Sequence, residues 1–292
     1  MRYQFIEQHK HEFPIVTMCQ VLGVSESGFY AWRKRPAGPR QREDAQFTQE
    51  IRQVFVTHRG RYGSPRIYRE LKDQGRRISR KRVARLMCEA DMSARRKRRR
   101  VLTTRRDVTH PVASNALNRD FTATEPNKKW ATDITSIPTI QGWLYLAVIL
   151  DLYSRAVVGW SMSANCDEEL AENALKMAVV GRCPKAGLLH HSDRGCQYTS
   201  KAYRQRLEQA DMLVSMSRQG NCWDNAAMES FFGTLKEECV GTTVYSSHEQ
   251  ARQALFEYLE VYYNRQRRHS TLGYVSPLAY EQMARQPVER NV

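Results

Sequence analysis

The sequence has no long apolar run. Its longest uninterrupted apolar stretch is the eight residues from Trp143 to Leu150, against the roughly 20 a helix needs to cross a bilayer, so no membrane span is expected. It also has no cysteine framework. The seven cysteines, at 19, 88, 166, 183, 196, 222 and 239, are odd in number and never spaced C-x-x-C. That argues against a disulfide scaffold or a zinc ribbon and for reduced packing residues. The first residues carry charges throughout and include no apolar stretch with a cleavage site, so no signal peptide is expected and a cytoplasmic location is. There is no internal repeat, no heptad zipper and no low-complexity tract beyond one arginine run. With 292 residues, 41% of them apolar, the chain suffices for about two domains with real cores, and disorder is excluded as its main state.

Negative charge is scarce, but only in one part of the chain. Residues 1–110 hold 27 Lys and Arg against 11 Asp and Glu, while residues 111–292 hold 19 against 20, so the first third carries the whole net charge of +15. Solubility alone would not segregate charge in this way. A polyanion would, and counterion release makes nucleic acid the natural partner, with an anionic membrane the weaker alternative.

The pattern Ile15, Val16, Cys19, Val21, Leu22, then Gly23-Val24-Ser25, then Phe29, Tyr30, Trp32 predicts a helix, a tight turn and a second helix within residues 1–38. This is the outline of a helix-turn-helix, although any helical hairpin looks similar. Gly23 suits the left-handed end of the first helix and Ser25 the cap of the second. A second basic helical domain is expected over 42–100. In it Ser64-Pro65 reads as an N-cap followed by proline, and Ser79 caps a helix over Arg80–Glu89 that sets Val83, Leu86 and Met87 against the cations Arg80, Lys81, Arg82 and Arg85. The run Arg95, Arg96, Lys97, Arg98, Arg99, Arg100 would repel itself in a compact fold and suits a phosphate backbone. Residues 101–127 read as a linker.

From Lys128 the period changes. Three strand-like runs (Lys129 to Pro138, Trp143 to Asp151, Arg155 to Ser163) form an antiparallel meander. They are followed by a helix (Glu168 to Val180), a strand (Leu188 to Ser192), a helix (Lys201 to Ala210), a strand (Met212 to Met216), and helices over Asp224 to Cys239 and Ser247 to Asn264. This order predicts an α/β mixed sheet flanked by helices, over 128–240, with a helical extension over 241–292.

Three acids stand out by placement. Asp133 lies inside the first strand, where a charge is costly unless it is paired or holds a cation. Asp193 ends the fourth strand, where open α/β sheets present functional groups. Glu229 shares a helix face with Asn225 and Lys236, because seven residues make about two turns. An all-oxygen set of this kind suits hard Mg²⁺ ions, which in pairs serve phosphoryl transfer. A serine or cysteine triad has no comparable support: His190 and His191 lack a nucleophile elbow and read as packing residues. Asp151 reads as a turn-holding or arginine-pairing residue, and Trp130 and Trp223 as packing residues. Asn225 reads equally as a helix cap and as an orienting group.

Three motifs carry a family resemblance: Trp130-x-x-Asp133-Ile134-Thr135, His191-Ser192-Asp193-Arg194-Gly195-x-Gln197-Tyr198, and Asp224-Asn225-Ala226-x-x-Glu229-Ser230-Phe231-Phe232-x-x-Leu235-Lys236. They resemble the DDE transposases of bacterial insertion sequences, specifically the second-reading-frame proteins of the insertion-sequence three family, which share their catalytic core with retroviral integrases. The 35 residues between Asp193 and Glu229 match that spacing. The stretches Tyr62-Gly63-x-Pro65-Arg66-Ile67 and Tyr263-Asn264-x-x-Arg267-Arg268-His269-Ser270-x-Leu272-Gly273-Tyr274-x-x-Pro277 extend the likeness over essentially the whole chain.

The resemblance implies an RNase H-like five-stranded core and a catalytic, metal-holding triad of Asp133, Asp193 and Glu229 with two Mg²⁺ or Mn²⁺ ions. It also implies a DNA contact at Lys236 and cutting and joining of DNA at the ends of a mobile element. It further implies a homo-oligomer on DNA and fusion to, or assembly with, the product of an upstream reading frame. Two alternatives stay open: an RNase H-type nuclease that cuts without joining, and a non-catalytic DNA-binding regulator. A retroviral-type front half is disfavoured, because His9, His11 and Cys19 do not make a zinc module.

Overall fold

A computed structural model describes residues 1–36, 38–94, 113–218, 222–241 and 243–285. The first helices are α1 (Arg2–His9), α2 (Ile15–Val21) and α3 (Glu26–Lys34). They close on a small core of Ile6, Met18, Cys19 and Phe29. The expected turn is present: Gly23 takes φ +61 and the Ser25 hydroxyl accepts from the Gly28 N–H at 3.1 Å.

Helices α4 (Pro39–Thr57), α5 (Ser64–Asp73) and α6 (Arg80–Glu89) follow. Ser79 caps α6 by accepting from Arg82 N at 3.2 Å. The cap expected at Ser64 is not used. Gly63 holds the N-cap position and Ser64 is already helical, with proline next to it pre-set for the first turn. Val83, Leu86 and Met87 of α6 are buried, as the amphipathic pattern requires.

The sheet holds β1 (Lys129–Thr139), β2 (Gly142–Asp151), β3 (Val157–Ser163), β4 (Leu189–Ser192) and β5 (Leu213–Met216) in the order β3-β2-β1-β4-β5. The first three pair antiparallel, and β4 and β5 join in parallel through α7 (Glu168–Arg182), α8 (Cys196–Thr199) and α9 (Lys201–Gln209). This is the mixed five-stranded sheet that the order of elements predicts.

The eight-residue apolar run lies within β2 and is apolar on both sides for a reason. Leu144, Leu146, Val148 and Leu150 face α10 (Ala226–Leu235) and α11 (His248–Phe256), while Ala147 and Ile149 face α7 and α9. The approach of α7 to β3 depends on Gly159, where a Cβ would lie 2.3 Å from the Ala174 carbonyl oxygen.

Beyond α10 the helix continues as a π-helical turn, Lys236–Val240, and α11 continues as another, Glu257–Tyr263, before α12 (Pro277–Arg285). The C-terminal part completes the sheet. The Asn264 amide accepts from Val157 N and donates to Val157 O, both at 2.9 Å, which satisfies backbone groups of the edge strand β3. The same part binds the α4–α6 helices: Arg66 Nε donates to Arg268 O at 3.0 Å, Arg268 N to the Tyr62 hydroxyl at 2.9 Å, and Arg61 Nε to Glu238 O at 3.0 Å. One hydrophobic cluster accordingly runs from Phe47 and Ile67 through Val148 to Tyr263. Among the described residues no helix is long and apolar enough to cross a membrane.

Candidate active site

β1 and β4 place the first two acids. Their parallel pairing runs Lys129 with Leu189, Trp130 with His190 and Ala131 with His191. Asp133 lies two residues past the last of these pairs on β1, and Asp193 two residues past it, just beyond the end of β4. The Asp133 carboxylate accepts from Ile134 N at 2.7 Å, and that of Asp193 from Gly195 N at 2.9 Å. A side chain at Gly195 would crowd the second of these, since a Cβ there would lie 3.1 Å from Asp193 Oδ1.

α10 brings the third acid. Asn225, just before that helix, donates through Nδ2 to the Thr132 carbonyl at 3.3 Å, which ties the helix start to the residue next to Asp133. Glu229 lies one turn further on. The Asn225 Oδ1 is buried and has no hydrogen-bond partner among the described residues.

The electrostatics identify one shared site. Burial pushes the Asp133 carboxyl up to about 8, and the charges of Asp193 and then Glu229 push the same way, while the Ile134 N–H and the Lys236 ammonium oppose them. Burial also raises Asp193, against the Gly195 N–H. Tyr198, buried beneath the pair, is raised by burial and then by the charge of Asp133, with that of Asp193 contributing less. Among the described residues no three His, Cys, Asp or Glu side chains form a ready-made metal cage. Asp133, Asp193, Glu229 and Lys236 are thus within electrostatic reach, and the acids repel one another.

The neighbouring histidines pack. Burial lowers His190 to about 3 and His191 to about 4, so both are neutral near pH 7. His191 meets the Ser215 and Ser217 hydroxyls at 2.8 and 3.2 Å, and His190 the Tyr203 hydroxyl at 3.1 Å. These contacts join β4 to β5 and α9, and so steady the strand that ends at Asp193. Asp151 holds a turn, accepting from the backbone of Asn127, Tyr153 and Ser154 and from Trp130 Nε1. Trp130 is buried, as expected. Trp223 is not: it stands 69% exposed on the 3₁₀ turn Cys222–Asn225, whose Asp224 and Asn225 are the buried residues that follow it.

The cations expected to meet DNA divide. Arg80 and Lys81 are exposed on α6. Arg82 pairs with Glu43 and Asp44, and Arg85 with Asp44 and Glu89. Arg95, Arg96, Lys97, Arg98, Arg99 and Arg100 lie outside the described residues.

Two buried charge networks escaped the sequence reading. Asp224, fully buried, gathers Asn115, Arg119 and Arg218. Glu238, 5% exposed, gathers Arg267, Arg66 and Tyr258. The signal in the sequence was that Asp224, Arg66 and Arg267 fall within the quoted motifs.

Comparisons with known proteins bear on the family of the chain. A family model described as an integrase core domain matches residues 123–222, a second of the same description matches 210–277, and an HTH-like domain model matches 41–100. The chain is 43% identical over 285 residues to the transposase InsF for insertion sequence IS3A of Escherichia coli K12, covering 96% of this chain and 98% of that protein. It is 44% identical over 271 residues to an uncharacterized 31 kDa protein of insertion element IS600 from Shigella sonnei, covering 91% of this chain and 100% of that protein. Among solved structures it resembles the intasome of simian T-cell lymphotropic virus in complex with a PP2A regulatory subunit, at 15% identity and a TM-score of 0.48, over 82% of this chain and 76% of that one.

Proposed function

The chain belongs to the family of insertion-sequence transposases that includes InsF, and from that premise we propose that Asp133, Asp193 and Glu229 are the catalytic carboxylates with which it cuts the ends of its element and joins them to target DNA. The observation that supports this reading is that the charges of Asp193 and Glu229, carried on separate elements, both disfavour ionisation of the buried Asp133.

The donor set fits hard divalent cations. It offers oxygen atoms only, and a cation would offset the burial and like charge that raise Asp133 and the burial that raises Asp193. Asp133, Asp193 and Glu229 would hold Mg²⁺ or Mn²⁺, two ions per site, which would supply activation of the attacking oxygen and stabilisation of the leaving one.

The protein's own groups provide the rest. The Ile134 and Gly195 N–H groups orient the Asp133 and Asp193 carboxylates. Asn225 fixes the helix that carries Glu229 to the strand that carries Asp133. Lys236 holds a phosphate or an end base beside the acids. In the first reaction water bonds to phosphorus, the bond to the 3′ oxygen breaks, and that oxygen takes up a proton. In the second the freed 3′-hydroxyl loses its proton, attacks another phosphodiester and displaces its 3′ oxygen.

The cationic face of α6 (Arg80, Lys81, Arg82, Arg85) and the run from Arg95 to Arg100 bind the element ends. Synapsis of two ends calls for a homo-oligomer on DNA. The protein acts in the cytoplasm at the nucleoid, fused to or assembled with the product of an upstream reading frame.

Asp133→Asn is expected to abolish nicking of end DNA in Mg²⁺ while leaving DNA binding intact; retained nicking would refute the assignment. A strand-transfer assay with a 3′-hydroxyl oligonucleotide, comparing the unaltered protein with Glu229→Gln, separates a transposase from a nuclease that cuts and never joins.

A further inference from the structure

Asp224 takes no part in the chemistry above, yet its two oxygens are fully engaged. They accept from Asn115 Nδ2 at 2.8 Å, from Arg119 Nε at 3.0 Å, and from N, Nε and Nη2 of Arg218, each at 2.9 Å. The Arg218 guanidinium is the main reason that this carboxyl lies well below the ordinary range, and Arg218 is raised in return.

The charge does not cancel. One buried carboxylate holds two guanidinium groups, which leaves one positive charge in excess. The two arginine side chains remain 48% and 47% exposed, while the acid they share is not exposed at all. A pair built only to neutralise Asp224 would need one arginine.

The backbone is bent to supply the second. Asn118 and Arg119 are consecutive non-glycine residues with φ of 43 and 63, a left-handed conformation that side chains disfavour. The Asn115 amide shapes this turn by accepting from Asn118 N at 2.9 Å while it donates to Asp224.

Location gives the excess charge a use. Asp224 directly precedes Asn225, which is bonded to the residue beside Asp133. Arg218 follows Ser217, which is bonded to His191 and, through its carbonyl, to Arg194. The two guanidinium groups are therefore joined, through Asp224 and Ser217, to the segments that lead to the acid cluster. A DNA strand approaching three carboxylates is repelled unless cations beside them hold its phosphates, and guanidinium groups suit that task through planar, multidentate hydrogen bonding.

We propose that Arg119 and Arg218, oriented by the buried Asp224, form a clamp for the phosphodiester backbone of the strand being cut. Arg119 and Arg218 touch the DNA, and Asp224 is their positioning residue. The inference rests on the transposase reading of the acid cluster.

The test is fluorescence anisotropy of a labelled duplex carrying the native element end, in EDTA so that no cutting occurs, over a series of salt concentrations. Arg119→Gln and Arg218→Gln should each lower the slope of log affinity against log salt by roughly 0.9, and the double variant by about twice that with a loss of about tenfold in affinity. The loss should be the same on a scrambled duplex, since phosphates carry no sequence. Lys176→Gln, exposed on α7, should change nothing.

Asp224→Asn gives the sharper result. Counting charges predicts tighter binding, because a negative charge is removed; the clamp predicts weaker binding, because the guanidinium groups lose their anchor. The triple variant Arg119→Gln, Arg218→Gln, Asp224→Asn leaves no buried charge unpaired. It should melt near the unaltered protein and still bind weakly, which separates lost contacts from lost folding. Unaltered affinity and slope in the double or triple variant, or tighter binding by Asp224→Asn, would overturn the clamp alone. Failure of the unaltered protein to bind or cut end DNA would overturn the function reading and the clamp with it.

Discussion

Two acids on one continuous helix, Glu229 and Glu238, sit in opposite electrostatic surroundings. Glu229 of α10 belongs to a cluster in which like charges raise Asp133. Glu238, in the π-helical turn that continues α10, accepts from Arg267 Nε and Nη2 at 2.7 and 2.8 Å, from the Tyr258 hydroxyl at 3.0 Å and from Arg66 Nη1 at 3.4 Å. Burial works against the Arg267 charge, but the hydrogen bonds and charge of Glu238 outweigh it and raise Arg267 further. One acid is compensated within the chain and joins the α4–α6 helices to the C-terminal part. The charges of Asp193 and Glu229 instead add to the burial that raises Asp133.

The widest separation between the two groups is expected in Asp133→Asn. Nicking should fall by roughly 10³-fold or more, while the melting temperature in metal-free buffer at pH 8 should rise, because a charge that the fold disfavours is gone. A drop in melting temperature would break the contrast.

Next in size is Glu238→Gln. It leaves Arg267, 4% exposed, without its counter-charge, and should lower stability by about 3–5 kcal/mol in urea denaturation. A loss well below that would mean that the network is not the joint it resembles.

A smaller effect is expected in the pH dependence of stability. The folded chain keeps the Asp133 proton up to about 8, whereas an unperturbed carboxyl releases it near 3.8. Between those values the folded state binds the extra proton, so this group's contribution to stability falls as pH rises. Asp224 runs the other way: its depressed pKa adds stability above about pH 4, and that contribution is lost in acid. Melting curves from pH 5 to 8 without metal should therefore slope downward, and Mg²⁺ or the Asp133→Asn substitution should flatten them. A flat metal-free profile would remove the like-charge account. The smallest effect is expected in Arg85→Gln on α6, whose exposed pairs with Asp44 and Glu89 give it little structural weight. Melting should not move, while affinity for DNA should fall severalfold if this face meets phosphate.

The parts of the molecule differ in how far the sequence revealed them. The β2 run, the caps at Ser25 and Ser79 and the order of strands follow from local pattern, because burial on one or both faces leaves a period that can be counted. Asp133, Asp193 and Glu229 stood out in the sequence because each sits at a position where a charge needs a reason and because their spacing resembles that of a known family. The bonds of Arg119 to Asp224 and of Arg66 to Glu238 left no such trace, since each joins residues more than a hundred positions apart. Trp223 was misread because its exposure depends on where a surface turn points, which the identity of the residue does not reveal.

The sequence by itself determined which stretches become strand or helix and which acids stand where a charge is costly, because hydrophobic period and the cost of burying charge act on residues one at a time. Only the tertiary structure decided which carboxylates are compensated and which repel. Whether Asp224 and Glu238 meet guanidinium groups, while Asp133 meets another acid, depends on which distant segments the folded chain brings within a few ångströms.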